Sequence, residues 1–227
     1  MTTWAGRLSD GRTSVEDVDL MWQPTMFGDP ADGRRPAVTR RVWLDQRSWI
    51  DTCPGWLTEH DQLLDELVRT APWSQRERRM YDRDVLEPRL VAAWSNDLLQ
   101  QLPGRLEEIR TAMSELYAVD FDSVLVNLYR DGRDGVAWHG DTVRRRLPEA
   151  VVVTVALGER RRFLLRKGSQ GPPAHTLRTG EGDLLVMGGR CQNDWQHTVP
   201  KETRAGTRIS ITMRHSALLR NSSGTGS

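Results

Sequence analysis

Residues 208–214 read RISITMR, a strict alternation of polar and apolar side chains. A period of two is that of a β-strand, so Arg208, Ser210, Thr212 and Arg214 share one face, and Ile209, Ile211 and Met213 the other. The apolar face needs a core to cover it. The polar face has two readings. It faces solvent, or it lines a cavity in which two arginines suit a dianionic ligand. Alternation alone leaves both open.

Working outward, short apolar and β-branched runs recur from residue 120 onward: SVLVNLY at 123–129, AVVVTVAL at 150–157, RRFLLR at 161–166, GDLLVMGG at 182–189 and DWQHTV at 194–199. Separated by Gly and Pro at regular spacing, they predict the strands of a sandwich or barrel. Two amphipathic helices are expected before them. One lies over 56–69, with Leu57, Leu63, Leu64, Leu67 and Val68 near one face. The other lies over 103–116, with Leu106, Ile109, Met113 and Leu116 and with Pro103 near its start. Helices first and strands afterwards make an α+β chain with an antiparallel core. The expected organisation is a partly irregular extension over 1–50, one domain over 51–217 and a disordered tail over 218–227. Within the domain, the arginine- and aromatic-rich segment 71–101 is a candidate lid.

Composition sets limits. The 227 residues carry 32 basic and 31 acidic side chains, a formal net charge of +1, so no polyanion partner is announced by the whole chain. Local runs, Arg144 to Arg146 and Arg160 to Arg162, are where phosphate contacts are expected, together with Arg76, Arg78 and Arg79 of the lid. Cys53 and Cys191 lie far apart with no zinc-like spacing, which suits reduced thiols in the cytoplasm. Neither a signal core nor a segment of about 18 apolar residues is present, so a membrane location is not expected, and a monomer is.

The chemistry concentrates at 138–142, WHGDT. His139 and Asp141 point the same way across Gly140, and an imidazole with a carboxylate on one face is two-thirds of a 2-His-1-carboxylate site. Such a pair also occurs by chance at polar strand ends. Among the remaining histidines, His60, His175, His197 and His215, the best third ligand is His197 in its strand-like run, with Trp195 on the same face. Order matters more than any one motif: the HxD pair, intervening strands, His197, then Arg208 and Ser210 in an RxS arrangement.

With NLYRDGRDGVAWHGD, TVALGERRRFLLR, GDLLVMGGRCQNDWQHTVPK and RISITMR in that order, the chain resembles the AlkB family of Fe(II)/2-oxoglutarate dioxygenases over about residues 88–215. The resemblance implies a double-stranded β-helix, or jelly-roll, core. It implies His139, Asp141 and His197 as iron ligands. Arg208, helped by Tyr129 and in the RxS arrangement with Ser210, would pair with the distal carboxylate of 2-oxoglutarate, and Asn127 and Arg214 would lie near its other carboxylate. The implied reaction hydroxylates an N-methyl group on a nucleobase in DNA, or RNA, releasing formaldehyde, succinate and carbon dioxide. The base is flipped into the site and sandwiched between His139 and an aromatic, for which Trp73, Trp94 and Trp138 are candidates. Arg89 either organises the lid or contacts substrate. The chain departs from the pattern where acidic residues that read a base usually follow HxD: here stand Thr142 and Val143. The lid is also abridged after Pro88-Arg89. Two other readings remain, a dioxygenase acting on a protein side chain or small metabolite, and a jelly-roll binding or sensor module without turnover.

Overall fold

The computed structural model describes residues 39–80, 83–141 and 147–216. Thirteen strands and three α-helices are formed among them. The chain opens with β1 (Arg40–Trp43) and β2 (Ser48–Cys53), then helix α1 (His60–Thr70). A hairpin, β3 (Glu77–Met80) and β4 (Arg83–Leu86), precedes β5 (Leu90–Ser95), a 3-10 turn (Asn96–Gln101) and helix α2 (Gly104–Tyr117). Then come β6 (Ser123–Tyr129), β7 (Val136–His139), β8 (Val152–Gly158), β9 (Arg161–Lys167), β10 (His175–Thr179) and β11 (Asp183–Gly189). The one-turn helix α3 (Cys191–Asp194), β12 (Trp195–Val199) and β13 (Arg208–Arg214) complete it.

Every named strand pairing is antiparallel. Seven strands form one sheet in the order β1-β2-β11-β8-β13-β6-β5, and four form a second in the order β10-β9-β12-β7. The alternation of β13 decides how these layers stack. Its apolar face, Ile209, Ile211 and Met213, joins Val124, Val126 and Leu128 of β6 and Val153, Val155 and Leu157 of β8. Covering that face are Leu63 and Leu67 of α1 and Leu106, Ile109 and Met113 of α2. Each fully buried side chain of this size contributes roughly 1.5–3 kcal/mol, which holds the helices against the sheet. The opposite face of the large sheet meets the small one through Ile50, Val152, Leu185 and Met187 against Phe163, Leu165, Trp195 and Val199. Central strand β8 is buried on both faces, which explains why VVTVAL is a continuous apolar run and not an alternating one.

Four expectations are corrected. The extension expected over 1–50 does not reach that far: Arg40–Cys53 supplies two strands, and β2 pairs with β11 along its length. Ile50 and Cys53 are buried there, so sheet burial overrides a locally irregular sequence; residues 1–38 and the tail over 218–227 lie outside the described residues. The helices do not precede the strands but are interleaved with them, because each needs an already apolar sheet face to bury against. The segment 71–101 is not all lid. β5 is an edge strand of the large sheet, paired with β6, and the hairpin β3–β4 comes before Pro88-Arg89. Finally, Leu116 and Val68, placed on the apolar faces of their helices, are exposed.

Candidate active site

The polar face of β13 is not solvated. Arg208, Ser210 and Thr212 are buried, as is Asn127 opposite Ser210 on β6. Asn127, Tyr129, Ser210, Thr212 and Arg214 line a chamber between the two sheets, closed on the other side by His139, Phe163 and His197. The cavity reading of the alternation therefore holds, because the second sheet lies over that face.

Strand pairing assembles the histidines. β7 and β12 are adjacent, with His139 and His197 as register partners, and their ring centroids are 4.3 Å apart. Asp141, just past the end of β7, puts Oδ2 3.7 Å from His197 Nε2. One ligand atom from each of His139, Asp141 and His197 lies within 4.8 Å of the other two. His139 Nδ1–H donates to the Ala137 carbonyl at 2.8 Å, since a carbonyl can only accept, and this makes Nε2 the nitrogen available to a metal. His197 stacks on Phe163, ring centroids 5.2 Å apart and nearly parallel.

Asp141 is held from two sides. Its backbone N–H donates to Gln192 Oε1 of α3 at 2.9 Å, and its Oδ1 accepts from Arg214 Nε at 2.7 Å and from Arg214 Nη2. Oδ2 is buried and has no hydrogen-bond partner. Burial opposes its ionisation, but Arg214 and the two histidines outweigh that and keep the carboxyl below its ordinary range. Burial also pushes His197 down to about 3, aided by His139 and opposed by Asp141, so its imidazole is neutral at physiological pH. Two imidazoles and an ionised carboxylate with one orphaned oxygen are the donor set that a divalent transition metal needs. The residues fit Fe(II).

Gly140 makes the arrangement possible. A Cβ there would lie 2.6 Å from the Gln192 carbonyl oxygen, so only glycine lets α3 approach closely enough to hold Asp141.

Deeper in the same fold, Arg208 is 0 % exposed. Its Nε donates to Thr179 O at 3.2 Å and its Nη2 to Thr179 Oγ1 at 3.0 Å, while Nη1 is buried without a partner. Tyr129, its register partner, places its ring 5.3 Å from the guanidinium carbon. Burial lowers the Arg208 pKa, offset in part by Tyr129 and Asp183. A buried cation with an open N–H fits a carboxylate ligand, which would relieve the cost of leaving that donor unpaired.

A larger cleft of about 760 Å³ opens from the metal ligands outward, lined by Arg89, Trp94, Trp138, His139, Asp141, Lys201 and Arg214 among others. Arg89 spans cleft and chamber: its Nε donates to Asn127 Oδ1 at 2.9 Å and its Nη2 pairs with Glu87 at 3.0 Å. Trp138 presents surface to the cleft; Trp94 borders it but is buried, packed on the helix-facing side of the large sheet beside Val124, and Trp73 does not reach it. Its indole N–H donates to the carbonyls of Leu67 and Val68 in the last turn of α1, so it caps that helix. Arg214, expected beside the cofactor, also spends its donors on Asp141.

The phosphate-contact expectation is corrected at Arg161, which is 0 % exposed and donates to the carbonyls of Asp131, Asp134 and Pro200. It pins loops and is shielded from any polyanion. Arg144 to Arg146, with Thr142 and Val143, lie outside the described residues, as do the side chains of Arg78 and Arg79. Sequence reasoning missed Gln192, Thr179 and Phe163. A lone Gln, Thr or Phe carries no spacing signal, and these act through contacts between distant strands.

A sequence profile of the 2OG-Fe(II) oxygenase superfamily matches residues 89–214. The chain is 32 % identical to the alpha-ketoglutarate-dependent dioxygenase alkB homolog 3 of Bos taurus, over 83 % of this chain and 77 % of that protein. It is 30 % identical to the DNA oxidative demethylase ALKBH2 of Arabidopsis thaliana, over 66 % of this chain and 60 % of that protein. Among solved structures, an oxidoreductase of the 2OG-Fe(II) oxygenase family from Burkholderia pseudomallei superposes with a TM-score of 0.52 at 15 % identity. It covers 75 % of this chain and 88 % of that one, a likeness of fold.

Proposed function

Because the chain belongs to the 2OG-Fe(II) oxygenase superfamily, and within it to the AlkB-like proteins, we propose that it is an oxidative demethylase of N-alkylated nucleobases using Fe(II), O2 and 2-oxoglutarate. The observation that carries this reading is the cluster of His139, Asp141 and His197 at the inner end of an open cleft, with Asp141 Oδ2 unpartnered. The two facing antiparallel sheets with this site between them support the finer description of the core as a double-stranded β-helix. That Cys53 and Cys191 form no disulfide suits a reducing compartment such as the cytoplasm.

Fe(II) with 2-oxoglutarate supplies the oxidation of the N-alkyl group by O2, a reaction side chains alone do not perform. The chain's part is positioning. His139, Asp141 and His197 would hold the metal. Arg214 fixes Asp141 through Oδ1, so that Oδ2 would be the oxygen available to the metal. Arg208 and Tyr129 would receive the far carboxylate of 2-oxoglutarate, and Asn127, Ser210 and Arg89 line the chamber beside them. His139 offers one flat wall for a base taken out of its stack, with Trp138, which alternates with it along β7, at the rim of the same cleft.

The test is anaerobic loading with Fe(II), 2-oxoglutarate and an oligonucleotide bearing 1-methyladenine or 3-methylcytosine, followed by oxygen and mass measurement of the oligonucleotide. Loss of one methyl, abolished in Asp141→Ala, is the expected result. An unchanged mass while succinate accumulates would overturn the nucleobase assignment.

A further inference from the structure

The small sheet has an outward face that the reaction site does not use. Its four strands, β10, β9, β12 and β7, contain no Asp or Glu at any position, yet they carry Arg161, Arg162, Arg166, Lys167 and Arg178. Alternation sends Arg161, Phe163 and Leu165 inward and leaves Arg162 and Arg166 on the outer face of β9. Arg178 is the register partner of Arg162 on edge strand β10 and is exposed. On the other edge, Trp138 takes the Arg166 guanidinium over its ring at 4.3 Å, and Arg166 is steadied by Gln196 Oε1, 2.8 Å from Nη2. Trp138 and Thr198, which alternate with the inward His139 and His197, belong both to this side of the sheet and to the lining of the cleft. The face is thus continuous with the site.

We infer that this outer face is a track for single-stranded nucleic acid leading into the cleft, with Trp138 as a stacking surface for a base beside the target and Arg162, Arg166 and Arg178 as phosphate contacts. The inference rests on the nucleobase reading above and adds where the strand runs. A positive surface interleaved with an aromatic is the pattern that binds single strands without reading sequence: phosphates meet cations and any base can stack. Arg162 and Arg166 are four residues apart, about 13 Å along a strand, so they would meet different phosphates of one extended chain. A cationic face also accounts for how a protein of net charge +1 can hold a polyanion: the charge is sorted by surface, with Glu202 the acidic neighbour that partly offsets Arg162. A guanidinium already stacked on Trp138 pre-orders the indole for a base on its other side.

The experiment measures binding of a fluorescent single-stranded 15-mer carrying one 1-methyladenine to the full chain at 50 and 200 mM salt. The variants are Arg178→Ala, Arg166→Glu with Arg178→Glu, and Arg166→Lys with Arg178→Lys, each first compared with wild type by thermal melting. Charge reversal is expected to weaken binding roughly tenfold or more at 50 mM salt and to flatten the salt dependence, since each lost single-strand contact removes about 0.7 from the slope. The lysine pair should retain most of the salt slope while losing the stack on Trp138. Should the reversed pair misfold, Arg178→Ala, at an exposed position, still must lower the slope. If wild type demethylates the oligonucleotide but all variants bind with its affinity and slope, the track is overturned and the function stands. If wild type neither binds nor demethylates it, the function fails first.

Discussion

Asp141 is the residue on which the site turns, and what surrounds it sets its chemistry. Arg214 holds Oδ1, which leaves Oδ2 as the oxygen that would meet a metal. Replacing Arg214 with Met should therefore weaken divalent metal binding by about 10- to 100-fold. Titration of the metal-free protein with Mn(II), followed by tryptophan fluorescence, reads this without turnover; unchanged affinity would show that Asp141 needs no such support. Arg208 is a different case. Arg208→Lys keeps a charge but loses the planar fork, and one charge-assisted bond is worth about 1.5–3 kcal/mol. The KM for 2-oxoglutarate is expected to rise roughly ten- to hundredfold, with a much smaller change in metal affinity. Cys191 completes this scale: burial pushes its thiol up to about 12, so the folded protein should leave it unmodified by a thiol reagent at pH 8, and prompt labelling before denaturation would contradict its placement.

At the scale of elements, two contacts decide whether three residues become a site. The pairing of β7 with β12 brings His139 to His197, and α3 docks its Gln192 on the turn after β7. Gly140→Ala sets a methyl 2.6 Å from a backbone oxygen, which cannot swing aside as a side chain would. The expected outcome is a loss of about 1–3 kcal/mol of stability and a metal affinity lowered with it, measured by urea unfolding and by the same Mn(II) titration. A stable variant with normal metal binding would mean that α3 moves freely. Elements also explain which sequence signals were legible. The alternation in RISITMR was readable because one face meets a core that only apolar side chains can fill. The chain around Trp43 to Cys53 was not, because β2 owes its strand to pairing with β11, some 130 residues away, rather than to its own composition.

For the whole molecule, buried ionisable groups make stability depend on pH. His197 is held neutral, its pKa lowered to about 3, whereas an unfolded chain protonates it near 6.5. Above about 6.5 neither state carries the proton and this group has no effect. As pH falls from 6.5 toward 3 the unfolded chain gains a proton that the folded chain does not, so stability is lost. The slope from this one residue approaches 1.4 kcal/mol per pH unit at most. Asp141, with its lowered pKa, adds to the loss below the ordinary carboxylate range. Urea midpoints of the metal-free protein should thus be level between pH 7 and 8 and fall between 6.5 and 5, with a smaller fall in His197→Gln. A midpoint indifferent to pH in that window would place His197 in water.

By itself the sequence determined the chemistry of this protein: an HxD pair, a later histidine and an RxS strand are local patterns, and each is confined to a few residues whose spacing fixes a common face. Tertiary structure alone decided what those faces look upon. It turned the polar side of β13 from a solvated surface into a chamber wall, took Arg161 out of reach of any phosphate, gave Trp73 to a helix end and Trp94 to the core, and left Trp138 at the cleft. The physical reason is that side-chain direction follows from the backbone period of one strand, whereas burial depends on which other layer of the fold comes to lie over it.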